Sequence, residues 1–444
     1  MPIVSRQQRV HLTPLTSALL LISTLTVGLT AHTREVSIES FVYDLKHPDA
    51  VRRQTAVREL GANRYRAAIP QMIPLTADPV AAVRRELELS FERMDDVGTL
   101  PGFIALASDV ETDIRGRALA NIVNVYVPHA IGLTLANLRE RMSLGSPGDL
   151  DVIVEPDVIV DATAVETVQS RVADADRGIR RNAIRGLGIL RAKRAVPDLL
   201  QVVREDRDNS LRLDGVRALR KIGDASIGSA LVALLNINDN DVRDELISTL
   251  AALKYRPAVP ALTRIVDQSK STDLTSILAV AALADLGDPS SAPTFERFRA
   301  DKNEWLRLFA NEGIARIADD TQKIDISAAR LTEKSPRVRT AQAFALLRLG
   351  QSEYLDELIR ALDRPATHDL AKEYLLETQP EYREALFAPR TANSSTRAEL
   401  AEVFGLMGDP NALPRLQEFT RDSDKEVAQA AERATRRITV GTTQ

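Results

Sequence analysis

The chain has 444 residues, of which 44% are hydrophobic and 27% charged, and its formal net charge is -4. This balance is typical of a folded protein, and the length requires several domains or a repeat array rather than one core. The negative charge excludes a global field that attracts nucleic acid or anionic lipid. The absence of cysteine excludes disulfides, thiolate zinc sites and a catalytic thiol.

The first predicted element is an N-terminal export segment, residues 1–33. Arg6 and Arg9 precede an uncharged stretch at 15–31, LTSALLLISTLTVGLTA, which ends in small residues before Arg34. This order is typical of a secretory signal peptide, and the stretch is shorter and more polar than a membrane span of about 20 apolar residues. We therefore predict an extracytoplasmic protein, periplasmic or secreted. An uncleaved tether at 15–31 and a buried first helix remain as alternatives.

After this segment, an aliphatic residue followed by arginine recurs every 31 or 32 residues, with one gap of 65 residues. The aliphatic positions are Val51, Val83, Ile114, Ile179, Leu211, Val242, Leu274, Leu306, Val338 and Leu370. Arginine follows all of them except Leu274 and Leu370. The gap between Ile114 and Ile179 is interpreted as two periods. Such regular spacing predicts a repeat architecture.

Residues that start and end helices recur in the same register. Potential N-caps stand four residues before the arginine positions, at Asp176, Asp208, Asp239, Ser271, Asn303, Ser335 and Thr367. Prolines that favour a first helical turn are Pro70, Pro101, Pro128, Pro197, Pro260, Pro293 and Pro414. Glycines suited to left-handed helix ends are Gly61, Gly223, Gly287, Gly350 and Gly408. Each unit is therefore predicted to contain two helices of roughly 12 residues, stacked on the next unit.

The pattern D-x-x-(I/V/L)-R-x-x-A, followed by L-G-x-x-x-A-V-P-x-L, resembles HEAT repeats, in particular the short PBS-lyase HEAT-like subtype. The resemblance covers about residues 40–437. It implies an all-α fold, an α-solenoid superhelix of about 11–12 helix pairs with a period of about 32 residues. It also implies a binding scaffold. The predicted domains after the export segment are 34–142, an insertion at 143–161, and 162–444 with a capping helix.

Residues 143–161, SLGSPGDLDVIVEPDVIVD, interrupt the repeat. Alternating acidic and branched residues favour extended chain over helix, and we predict a solvated flap with its polar side chains facing outward. The carboxylates could bind calcium in principle, but they lack the spacing and glycine of a calcium loop. A second interruption at 376–396 is interpreted as one shortened unit.

The sequence offers little for catalysis. Gly186-Leu187-Gly188 is not a dinucleotide loop, because the third glycine position is Arg191 and the pattern around it is helical. Deoxyhypusine hydroxylase, a HEAT-like iron enzyme, uses His-Glu pairs, and this chain with its five histidines has none. We therefore predict that the protein is not an enzyme and has no catalytic residue, cofactor or metal.

The predicted function is a non-catalytic scaffold that binds another protein or a peptide on its concave face. The candidate partner-binding residues flank or belong to the insertion: Arg191, Lys193, Arg204, Arg207, Asp151 and Asp157. The alternative is binding of nucleic acid or another anionic polymer through the arginine-rich stretch 177–220. That stretch has no aromatic residue between 178 and 200 for base stacking, so nucleic acid is the less favoured partner. Membrane contact is expected only through an uncleaved N-terminal segment.

Overall fold

The computed structural model describes residues 38–127, 152–155, 158–388 and 392–441, and this part of the chain is helical. Its helices are α1 (Ile38–Asp44), α2 (Ala50–Ala62), α3 (Ile69–Met72), α4 (Ala81–Met94), α5 (Leu100–Leu106), α6 (Thr112–Tyr126), α7 (Ala162–Ser170), α8 (Arg177–Ile189), α9 (Val196–Glu205), α10 (Asn209–Ile222), α11 (Gly228–Leu234), α12 (Asn240–Ala252), α13 (Val259–Gln268), α14 (Leu274–Leu286), α15 (Ala292–Phe298), α16 (Glu304–Ile317), α17 (Lys323–Arg330), α18 (Pro336–Arg348), α19 (Leu355–Ala361), α20 (His368–Leu376), α21 (Pro380–Phe387), α22 (Ser394–Met407), α23 (Leu413–Phe419) and α24 (Lys425–Gly441). No helix in these ranges is long and apolar enough to cross a membrane. The predicted export segment 1–33 lies outside the described residues.

The helices of the described ranges form eleven stacked pairs, and α24 packs on the last of them. The even-numbered helices from α2 to α24 are the first helices, and each packs on the next along the chain. The odd-numbered helices from α3 to α23 are the second helices, and they cover the first layer from one side. The predicted all-α solenoid and its number of units are thereby confirmed.

The second helices are shorter than predicted. From α5 onward they have 7–10 residues, and most begin with a separate 3-10 turn, as at Lys193–Ala195 before α9. Proline at the first turn accompanies this geometry in α5, α9, α13, α15 and α23. The turn takes up residues that the sequence pattern had assigned to the helix.

The aliphatic residues that precede the repeated arginines pack between neighbouring units, and two of them do not follow this prediction. Ile114, Ile179 and Val338 are at most 3% exposed. Val51 and Leu274 are 67% and 62% exposed instead, which contradicts their predicted place. The reason is where the helices begin. Asp49 is the N-cap of α2 and Asp273 that of α14, so both helices start later in the chain than the repeat spacing predicted.

Five of the seven predicted caps are confirmed. The side chains that accept a backbone N–H of their helix are Asp176, Asp208, Asp239, Asn303 and Ser335. Ser271 is not the N-cap of α14, a position that Asp273 takes. Thr367 precedes α20 but its hydroxyl donates to the carbonyl of Ala361, so it caps no N–H group.

The glycines have two different roles. Gly223, Gly287, Gly350 and Gly408 have φ between 56° and 90° and end or follow a helix, as predicted. Gly61 does not: it lies inside α2, where an added Cβ would be 2.8 Å from Cα of Ser90. Gly188 in α8 likewise faces Cα of Ala218 in α10, at 2.7 Å from an added Cβ. The Gly-Leu-Gly run therefore permits close packing of two helices.

The insertion lies inside one unit, so the interpretation of the 65-residue gap as two periods is wrong. Helix α8 packs directly on α6, and Arg115 of α6 pairs with Asp174 just before α8. Helix α7 is thus the second helix of the unit that α6 begins, and the chain between them, 127–161, connects the two. Among the described residues, no additional unit lies between α6 and α8.

Part of the insertion is also core, which corrects the prediction of a solvated flap. Val154 is 4% exposed, and its backbone N–H donates to the carbonyl of Ile189 at 2.8 Å. Ile159, by contrast, is 93% exposed. The segment therefore anchors itself at the end of α8 through one buried valine.

This anchor predicts a contrast between two substitutions. Val154→Asp should destabilise the protein by about 2–4 kcal/mol, because it places a carboxylate without a partner in the core. Ile159→Asp should change stability by less than about 0.5 kcal/mol. Urea denaturation followed by circular dichroism compares the two. Equal midpoints for both variants would show that residues 152–155 do not pack on α8.

Candidate functional site

An arginine ladder connects successive units at the start of the first helices. Arg84 of α4 shows the geometry: its Nη1 donates to the carbonyl of Asp78 at 2.8 Å, and Nε and Nη2 donate to the carboxylate of Asp109 at 2.6 and 2.8 Å. Asp109 in turn accepts the backbone N–H of Glu111, which precedes α6. We call such an arginine and its carboxylate partner a rung of the ladder. Each rung connects the start of one first helix to the start of the next.

Five rungs are closed by a bidentate ion pair. They are Arg53–Asp78, Arg84–Asp109, Arg115–Asp174, Arg307–Glu333 and Arg397–Asp422, with N–O distances of 2.6–3.1 Å. In the first unit the arginine of the rung is Arg53 and not Arg52 of the sequence column, because α2 begins after Asp49. The hydrogen bond from Arg115 lowers the pKa of Asp174 below its ordinary value. Arg84, Arg115 and Arg307 belong to the arginine column of the sequence, whereas Arg53 and Arg397 lie outside it.

One rung has both partners but remains open. Arg180 of α8 donates through Nη1 to the carbonyls of Asp174 and Ala175, at 2.9 and 3.1 Å, as in the closed rungs. Asp206 stands 26 residues later, as Glu333 does after Arg307, and accepts the N–H of Asp208 at 2.8 Å. Among the described residues, Nε and Nη2 of Arg180 have no acceptor, and Asp206 pairs with no cation.

The open rung lies in a cleft of about 660 Å³ between the second helices α7 and α9. Its charged and amide lining residues are Glu166, Gln169, Arg180, Arg194, Asp198, Gln201, Glu205 and Asp206. Arg194 pairs with Glu166, and Gln169 donates to Asp198. Three carboxylates at Asp198, Glu205 and Asp206 have no basic partner among the described residues. The cleft is therefore acidic overall, and Arg180 is its one arginine that no described carboxylate pairs with.

The predicted binding residues lie at two ends of α9. Arg191 occupies the left-handed turn before it, with φ of 50°, and Lys193 begins the 3-10 turn. Arg204 and Arg207 lie at its far end, roughly 15 Å away along the helix. All four are exposed. Asp151 and Asp157 lie outside the described residues.

The structure brings the cleft next to Arg204 and Arg207, but it does not gather the four basic residues into one site. Asp206, Asp198 and Glu166 also line the cleft and were not predicted from the sequence. The sequence did contain a pattern that could have identified Asp206. Its separation from Arg180 along the chain equals that of Glu333 from Arg307. The approach of Glu166 to Arg194 depends on the packing of α7 against α9 and has no counterpart in the repeat spacing.

A second polar cluster is buried between α14, α16 and α20. Arg316, whose side chain is 9% exposed, contacts Asp285, Glu312, Glu373 and Glu377 at 2.8–3.2 Å. The hydroxyl of Tyr374 donates to Glu312 at 2.5 Å, and its ring stacks on Phe344 of α18. Burial raises the pKa of Glu312 to about 7, although Arg316 opposes the shift.

This raised pKa predicts that stability falls with pH. The unfolded chain releases the Glu312 proton near its ordinary pKa of 4.5, whereas the folded chain keeps it up to about 7. The free energy of unfolding should therefore decrease across this window, by about 3 kcal/mol from this group, and level off above it. Glu88, whose pKa burial also raises to about 7, adds a change of the same sign.

Glu312→Gln checks the assignment. The substitution should reduce the loss of urea midpoint between about pH 5 and pH 8, since glutamine does not titrate and still accepts the Tyr374 hydrogen bond. Glu353→Gln, on the exposed turn before α19, serves as the control and should leave the pH dependence unchanged. A Glu312→Gln protein with the full wild-type pH dependence would contradict the assignment.

The family profile described as HEAT repeats matches residues 158–220 and 196–284, which include helices α7 to α13 and the cleft. Residues 158–284 contain HEAT repeats. The resemblance inferred from its sequence is thereby confirmed. None of the curated proteins searched matches this chain.

Solved structures of similar fold share little sequence with it. Yeast importin-β (Kap95p) has 13% identity over 92% of this chain and 57% of its own, with a TM-score of 0.44. The CpcE–CpcF complex of phycocyanin lyase from a Nostoc species has 19% identity over 64% and 97%, with a TM-score of 0.35. Human deoxyhypusine hydroxylase has 19% identity over 56% and 96%, with a TM-score of 0.28. At these values the similarities carry no argument about partner or chemistry.

The polar groups that could support chemistry are dispersed. Within 38–127, 152–155, 158–388 and 392–441, no group of three or more His, Asp or Glu side chains could hold a metal ion. His368 contacts Asp369 and Glu399 at 3.0 and 3.1 Å at the surface of α20 and α22. The cleft between α7 and α9 is therefore the candidate site, and its groups are suited to binding charges.

Proposed function

We propose that the protein is a non-catalytic HEAT-repeat scaffold that binds another protein or a peptide along its second helices, outside the cytoplasm. The observation that carries this proposal is the cleft between α7 and α9, which leaves charged groups of the ladder available to a partner. Exposed Arg204 and Arg207 at its rim extend the surface. We expect the second helices to line the concave side of the superhelix.

Photo-crosslinking in intact host cells tests the binding face. A photoreactive residue at Gln201 or Arg204, both exposed on α9, should capture a discrete exported protein. The same residue at Arg217 on the first helix α10 serves as the control and should not. Absence of a discrete adduct from α9, or the same adduct from Arg217, would contradict the proposal.

The extracytoplasmic location is supported by the order of basic, apolar and small residues in 1–33. We expect the mature protein to begin shortly after Ala31, and mass spectrometry of the purified chain measures this directly. An intact N-terminus in the membrane fraction would indicate a tether. An intact N-terminus in the soluble cytoplasmic fraction would contradict export.

Binding of an anionic polymer through 177–220 remains the second candidate, and the ion pairs disfavour it. Five arginines of this stretch pair with carboxylates of the fold: Arg177, Arg181, Arg194, Arg217 and Arg220. Arg212 donates to the carbonyl of Val203. Tight binding of a short DNA duplex that weakens steeply with salt would favour this candidate over the scaffold.

A further inference from the structure

We propose that the open rung between Arg180 and Asp206 binds a zwitterionic pair of side chains on the partner, with a carboxylate on Arg180 and a basic group on Asp206. This inference rests on the proposed function, because it names the chemistry by which the cleft would recognise a protein or peptide. Both halves of an internal ion pair line this cleft, but within the described residues no ion pair joins them.

Arg180 is held as the closed rungs hold their arginines. Its Nη1 contacts the carbonyls six and five residues earlier, as Nη1 of Arg307 contacts those of Asp301 and Lys302. In the closed rungs the remaining edge, Nε and Nη2, receives a carboxylate at 2.6–3.1 Å. The same edge of Arg180 is therefore oriented for a bidentate carboxylate that the partner supplies.

Asp206 is held as the closed rungs hold their carboxylates. It accepts the N–H two residues later at 2.8 Å, as Asp109 and Asp174 do at 2.9 Å. Its neighbour Glu205 accepts a hydrogen bond from Gln201, which brings no charge. A lysine or arginine of the partner would supply the cation that these two carboxylates lack.

Comparison with the rung of Arg243 shows why both halves are needed. A cleft of about 670 Å³ also lies at that rung, where Gln268 and Ser269 stand at the positions of the acid. There Nε and Nη2 of Arg243 donate to the carbonyls of Leu235 and Ile237, so this edge of the guanidinium already has acceptors within the fold. Arg180 instead keeps the ladder position through the carbonyls of Asp174 and Ala175, and both Arg180 and Asp206 line a cleft with space for a ligand.

The test uses the blocked tetrapeptide Gly-Arg-Asp-Gly and two analogues, Gly-Gln-Asp-Gly and Gly-Arg-Asn-Gly, titrated into the full chain by calorimetry. We expect the doubly charged peptide to bind about tenfold more tightly than either analogue. Arg180→Gln should remove the preference for Asp over Asn, and Asp206→Asn should remove the preference for Arg over Gln. Arg264→Gln, an exposed arginine on α13, serves as the control and should change neither preference.

Equal affinity for the three peptides, no binding at about millimolar concentration, or preferences that survive both variants would overturn the inference. Thermal melting adds an independent criterion. Arg180→Gln should lower the melting midpoint by at most about 1 °C, whereas Arg84→Gln in a closed rung should lower it by several degrees. An equal loss for both would show that the Arg180–Asp206 pair is closed in solution, which would also overturn it.

Failure of this inference differs from failure of the proposed function. One outcome is that crosslinking at Gln201 captures the same partner in the wild type and in the double variant Arg180→Gln/Asp206→Asn. That result would support the scaffold function but reject the zwitterion site. No partner captured from the wild type would reject the scaffold, whatever the peptides do.

Discussion

Replacement of Arg316 by methionine is expected to lower the free energy of unfolding by about 3–5 kcal/mol. The guanidinium lies among Asp285, Glu312, Glu373 and Glu377, and methionine would leave these carboxylates close together without a cation. Because α14, α16 and α20 meet at this residue, we expect the loss to affect the C-terminal units together. Urea denaturation followed by circular dichroism measures the loss as a lower midpoint.

Arg85→Met provides the matched control for this substitution. Arg85 pairs with Asp113, but these side chains are 39% and 50% exposed, so the pair should contribute less than about 1 kcal/mol. Removal of Arg316 should raise the pKa of Glu312 further, so the variant should be least stable at alkaline pH, where Glu312 ionises, and should recover part of its stability as the pH falls to about 7 and below. Equal effects at both positions, or no recovery at low pH, would show that the buried cluster does not form.

Ile179→Asp is expected to cost at least about 3 kcal/mol and to unfold its unit, because it places a carboxylate at the seam between α6 and α8. The side chain is 3% exposed, and its Cγ1 lies 3.4 Å from where Gly116 of α6 would carry a Cβ. In a stacked array the loss of one seam also weakens its neighbours. Hydrogen exchange should show reduced protection in α6, α8 and α10.

Val51→Asp separates the effect of burial from that of the sequence pattern. Val51 occupies the same column of the repeat as Ile179, yet it is 67% exposed. We expect a change of less than about 0.5 kcal/mol at this position. A loss at Val51 as large as at Ile179 would mean that the first unit begins where the sequence pattern had placed it, and not after Asp49.

The candidate site shows how far sequence reasoning reaches. The repeat of the arginine column and five of the seven helix caps could be predicted, since N-caps and helical periodicity depend on residues a few positions apart. The open state of the Arg180 rung could not, because Arg180 and Asp206 have the spacing of the closed pair Arg307–Glu333. The cleft depends on how α7 and α9 sit against each other, and α7 follows an insertion that interrupts the period.

The sequence by itself determined the helical repeat, its period of about 32 residues and the residues that start and end most helices. These features follow from local backbone chemistry, which repeats wherever the same residues recur. Only the tertiary structure decided that the insertion lies within one unit, that Val154 is core, and that Arg316 gathers four carboxylates. Such contacts join residues far apart in the chain, and whether they form depends on the packing of whole helices rather than on any local pattern.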